Sequence, residues 1–100
     1  MAEWITFVKG ENVRKAEGIL KKDFDVAAKQ SITVRDAKAL GIEAEGSFFY
    51  IKGSNEGVAR CKELIKDLVA EIEQEKLDKA KEEIEKESEA AASGMGGIFK

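Results

Sequence analysis

Phe48-Phe49-Tyr50-Ile51-Lys52-Gly53-Ser54-Asn55-Glu56-Gly57 decides how this chain folds. Phe48 to Ile51 are aromatic or β-branched, and such side chains pack best on a pleated surface. Gly53 interrupts the run and permits a turn. Ser54 or Asn55 then offers a side-chain oxygen to the free N–H groups of a helix start. Val58, Cys61, Ile65, Leu68 and Ile72 follow at helical spacing, widened by Leu64 and Val69. A strand, a turn and an amphipathic helix therefore stand in one unbroken run.

Upstream, Trp4-Ile5-Thr6-Phe7-Val8 reads as a strand ended by Gly10. Asn12 is the expected N-cap of a helix running to about Lys22. Val13, Ala16 and Leu20, with Ile19 beside them, form its inner face, and Phe24 is expected to cover the end of that face. Residues 26–34 read as a second strand, with Ile32 and Val34 on one face. Asp36 caps a single turn, Ala37-Lys38-Ala39-Leu40, which Gly41 closes. The expectation is an α+β domain over residues 3–72. It is a small two-layer β-α-β-β-α sandwich, with a three-stranded sheet covered by two helices.

Downstream the apolar stripe changes phase. Leu77, Ala80 and Ile84 lie roughly 120° around the cylinder from the earlier stripe. Residues 73–89 are therefore expected to form a charged helical extension that leaves the sheet. Its fresh face, Leu77, Ala80 and Ile84, is the expected contact for a protein partner or a weak homodimer. Residues 90–100, small and glycine-rich before Ile98-Phe99, are expected to be a disordered tail.

Composition narrows the function classes. The chain has no His, one Cys and no Pro in 100 residues. The lack of His removes the usual general acid/base near neutral pH and the commonest metal ligand. A lone Cys excludes an internal disulfide and any multi-cysteine zinc site. Cys61, on the inner stripe of the helix, reads as a small core residue. The acids Asp23, Asp25, Glu43 and Glu45 sit in i, i+2 pairs near element ends and read as solvated loop charges. Residues 53–57 read as a turn and a cap, because the P-loop's Lys-Ser/Thr ending is absent. No catalytic residue, cofactor or metal site is expected, and the chain is not expected to be an enzyme. There is neither an apolar run near 18 residues nor a basic-then-apolar N-terminal segment, so a cytoplasmic protein without a membrane span is expected.

Charge is uneven. Residues 1–70 hold 12 Lys/Arg and 11 Asp/Glu, whereas residues 71–100 hold 5 and 9. The acidity lies in the C-terminal part, and the body is close to neutral. Within that body one surface stands out. At 100° per residue the outer face of the first helix carries Arg14, Lys15, Gly18, Lys21 and Lys22, with Lys9 just before it. Such a face would neutralise several phosphates of a nucleic acid. Trp4, Phe48 and Tyr50 would supply stacking rings if their sheet face were open.

The run from Phe49 to Ile65, with its Gly53-Ser54 turn, the acid Glu56 and the helix behind it, resembles the closing half of a KH domain. Lys9-Gly10-Glu11-Asn12-Val13-Arg14 resembles the residues around that family's Gly-x-x-Gly loop, with Val13 in place of the second glycine. The resemblance implies an RNA-binding body that grips the nucleic-acid backbone. Lys9, Arg14, Lys15, Lys21 and Lys22 are then the candidate RNA contacts. The alternative is a protein–protein interaction module, homo- or hetero-oligomeric, with no nucleic-acid role.

Overall fold

A computed structural model describes the backbone of residues 2–98 and the side chains of residues 2–87. Strand β1, Ala2–Lys9, leads into helix α1, Gly10–Lys22. Then come β2, Ser31–Asp36, β3, Gly46–Gly53, and α2, Asn55–Ile65. A two-residue strand β4, Val69–Ala70, precedes α3, Gln74–Ile98. The fold is α+β, as expected, with a four-stranded antiparallel sheet in the order β2-β3-β1-β4. No helix of the described residues is long and apolar enough to cross a membrane.

β3 is central because its sequence is apolar on both faces. A continuous apolar run suits a strand covered on both sides. Gly46 to Ile51 are all buried. Phe49 and Ile51 join Val8 of β1 under α1 and α2, against Ala16, Leu20, Val58, Cys61 and Ile65. Phe48 and Tyr50 point the other way with Phe7, against Ala37, Leu40, Ile42, Ala80 and Ile84. Phe7 and Phe48 meet with ring centroids 5.1 Å apart in a tilted arrangement. The sheet is therefore sandwiched between α1 and α2 on one side and α3 on the other.

That second layer corrects the expected architecture. The helix begun at Asn55 stops at Ile65, and the Leu68 N–H turns back to the Ile65 carbonyl at 2.8 Å. Val69 and Ala70 pair with Val8 and Phe7 on the free edge of β1. The chain then passes round the sheet edge and returns as α3. The phase change at Leu77, Ala80 and Ile84 marks a second helix on the opposite face, not a new side of the first. The span 73–89 is thus no projecting extension. Ala80 is 0 % exposed and Ile84 4 %, with Leu77 packed beside them. The expected partner face, Leu77, Ala80 and Ile84, is filled by the chain's own sheet, which leaves a homodimer no surface there. The expected tail, 90–100, lies outside the residues whose side chains are described.

Other boundaries moved for local reasons. Residues 27–29 form a short 3₁₀ turn in place of the start of β2. The Asp23 carboxylate accepts the Ala27 N–H at 3.1 Å and folds the chain there. Ala37–Leu40 is the expected single turn, closed by Gly41 at φ 73°. Ser54 is the N-cap of α2, its hydroxyl accepting the Gly57 N–H at 3.0 Å.

Candidate nucleic-acid interface

β1 runs into α1 without a loop. Lys9 occupies the N-cap position with no side-chain cap, and the Gly10 N–H donates to the Glu45 carbonyl at 3.2 Å. Asn12, expected as the cap, lies inside the first turn. The segment 9–14 is thus a strand-to-helix junction rather than an open loop.

The inner face of α1 is the expected one. Ala16 and Leu20 are buried, with Val13 and Ile19 packed partly against the same cluster. Burial of that stripe fixes the rotation of the helix. Arg14, Lys15, Lys21 and Lys22 are consequently turned to solvent, and Lys9 is exposed at the foot of the helix. Residues 14–22 span about 12 Å along the axis. Lys21 meets Glu17 at 3.7 Å, but its side chain is 78 % exposed, so the pair holds it weakly. Among the described residues no other ridge cation makes an ion pair. Gly18 sits midway, and nothing lies within 4 Å of where its Cβ would be. Glu11 occupies the first turn, where the helix dipole favours a carboxylate.

The sequence did not show what adjoins this ridge. Between α1 and β2 runs an open cleft of about 360 Å³, lined by Leu20, Ala28, Ile32 and Val34, with Glu17, Lys21 and Gln30 adding polar groups. Among the described residues β2 is an outer strand paired only with β3. Its Val34 carbonyl accepts from Arg35 Nη1 at 2.9 Å, while Arg35 Nε donates to Glu87 at 2.8 Å. Such a guanidinium partly shields an edge strand from another chain.

The aromatic expectation is corrected. Phe48 and Tyr50 lie beneath α3 and offer no stacking face. Trp4 is half-buried on the α1–α2 side, with Lys62 Nζ 5.7 Å from its ring centroid. Phe24, expected to close the core, is instead 74 % exposed just beyond Lys22.

The other polar and sulfur side chains make local contacts. The Cys61 thiol is fully buried, and burial pushes its pKa up. Asp23 binds Arg60 at 3.1 Å, whereas Asp25, Glu43 and Glu45 stay exposed. At the start of α2 the Ser54 N–H donates to Gln30 Oε1 at 3.2 Å, and Gln30 Nε2 donates to the Val26 carbonyl at 2.8 Å. A Cβ on Gly53 or Gly57 would meet the amide end of Gln30, which would have to shift and give up these hydrogen bonds. Among the described residues no group of three His, Cys, Asp or Glu side chains is placed to hold a metal ion. No family model, curated protein or solved structure matches this chain.

Proposed function

We propose that this chain is a KH-like binding protein that takes single-stranded RNA weakly and with little sequence preference. Phosphates lie along Lys9, Arg14, Lys15, Lys21 and Lys22, and bases enter the apolar cleft between α1 and β2. The observation that carries the reading is the solvent-facing cationic ridge, with a single weak ion pair, beside that cleft. Gly18 leaves room for a sugar-phosphate backbone to approach the helix closely. The buried aromatics remove a stacking platform on the sheet, so affinity comes mainly from phosphate neutralisation.

The test is a titration of the full chain with a short single-stranded RNA at low salt. Amide signals of residues 9–22 are expected to move. With four phosphates neutralised, log K falls with log salt at a slope of about −3. Each ridge Lys or Arg replaced by Ala flattens that slope by about 0.7. Unmoved amides, or a slope insensitive to the substitutions, would refute the reading.

A protein–protein module is the second reading. Its support is the unpaired edge of β2 (Ser31–Asp36), which offers main-chain donors and acceptors to an added strand. Sedimentation that shows self-association abolished by a Pro at Thr33 would favour it.

A further inference from the structure

Phe24 lies in the connection between α1 and β2, between Asp23 and Asp25. Its exposure of 74 % is unique among the large hydrophobic side chains described. A single exposed apolar residue is ordinary on protein surfaces. What distinguishes Phe24 is that the turn it sits on is held through the residue before it, Asp23. The Asp23 N–H donates to the Leu20 carbonyl at 3.3 Å. The Asp23 carbonyl accepts from the Val26 and Ala28 N–H groups at 3.4 and 3.0 Å. Its carboxylate accepts from the Ala27 N–H and from Arg60 Nε, each at 3.1 Å. The ring therefore projects from a turn tied at both ends and to α2. The backbone that carries it is therefore partly ordered before any contact forms.

The position is also informative. Phe24 follows Lys21 and Lys22, at the C-terminal end of the ridge, and its Cα lies within about 7 Å of that of Lys22. Of its two acidic neighbours, Asp23 is neutralised by Arg60, which leaves Asp25 alone beside the ring. The same turn carries Ala28 of the apolar cleft. A flat apolar surface next to cations is the combination that binds unpaired bases, because every base has a π-face whatever its sequence.

We infer that Phe24 is a base-stacking platform: a nucleotide whose phosphate sits on Lys21 or Lys22 lays its base on the ring. This rests on the RNA reading above and sharpens it, since only strands with unstacked bases can use the ring. The chain then prefers single strands to duplex of equal charge.

The experiment compares the full-length wild type with Phe24→Ala and Phe24→Trp. The probes are a 12-nucleotide oligo(U), a 12-nucleotide oligo(A) and a 12-base-pair RNA duplex at low salt. Phe24→Ala is expected to weaken both single strands on the order of tenfold while leaving duplex affinity and the salt slope unchanged. Phe24→Trp is expected to retain affinity and to show fluorescence quenching on addition of oligo(U) beyond the signal of the half-buried Trp4. Circular dichroism checks that both variants fold, which the exposure of the side chain favours. If Phe24→Ala binds single strands as the wild type does, or loses duplex and single strand alike, the stacking role is overturned while the ridge stands. A wild type that binds none of the three RNAs overturns both readings. Unchanged RNA binding with an altered sedimentation coefficient assigns the ring to a protein contact instead.

Discussion

Replacing Ile84 by Ala separates the observed architecture from a projecting helix by the sign of one number. Ile84 is 4 % exposed and packs in the cluster of Phe7, Leu40, Ile42, Phe48 and Tyr50. The substitution removes three carbons. Lost transfer free energy at about 0.8 kcal/mol per methylene, plus the cavity left in a two-sided core, gives a destabilisation of about 3 kcal/mol. On a solvated extension the same change would stabilise by a few tenths of a kcal/mol, because Ala is the better helix former. Urea unfolding followed by far-ultraviolet circular dichroism reads the difference. The midpoint should fall with little change in slope. Amide exchange in α3 should accelerate at least as much as that of the sheet. A neutral or raised midpoint would refute the docking of α3 and return Leu77, Ala80 and Ile84 to the surface.

Two further perturbations test details of the packing. Gly57→Ala should destabilise by about 1 kcal/mol, because its Cβ displaces Gln30 from the Ser54 N–H and the Val26 carbonyl. In a Gln30→Ala background the same change should become stabilising, by up to about 1 kcal/mol, as a helical Gly gives way to Ala. Equal effects in the two backgrounds would show that Gln30 does not set the requirement. The third concerns acid. The Glu3 carboxyl is held below its ordinary 4.5, first by the hydrogen bond from Lys81 and then by that from the Tyr50 hydroxyl. Burial and Glu3 push the Tyr50 phenol well above its ordinary value. A lowered carboxyl pKa means stability that is present above about pH 4.5 and lost as pH falls through the folded-state value. The stability gap between wild type and Glu3→Gln should therefore be constant near neutrality and shrink below pH 4.5. A gap unchanged down to pH 3 would count against the Glu3–Lys81–Tyr50 network.

What could be read in advance was whatever local chemistry decides. The aromatic and β-branched run at 48–51 announced a strand but not that both its faces would be covered, and the inner stripe of α1 fixed which way its cations point. Ser54 and Gly41 announced their cap and turn through backbone requirements of their own. The break after α2 was invisible because residues 66–68 contain neither Gly nor Pro, and helical spacing continues through Leu68 into Val69. A two-residue strand such as β4 exists only by pairing with β1, so no period could reveal it. For the candidate site, the ridge followed from periodicity, while the cleft depended on the distance between α1 and β2, elements joined by a turn that Asp23 shapes. Phe24 was misplaced for the same reason: an aromatic after an amphipathic helix usually continues its core, and the Asp23 turn directs it outward.

The central position of β3 has a consequence for the chain as it is made. Phe48-Phe49-Tyr50-Ile51 is apolar, uncharged and free of Pro and Gly, the kind of segment that nucleates cross-β aggregation when exposed. One of its faces, partly covered by Ala37, Leu40 and Ile42, is fully shielded only when the residues around Ala80 and Ile84 arrive, some thirty positions later. At about 5–20 residues per second of synthesis that delay lasts seconds, longer than collapse of a chain this size. Nascent chains halted before α3 should therefore be the most aggregation-prone form of this protein and the strongest client for a holding chaperone.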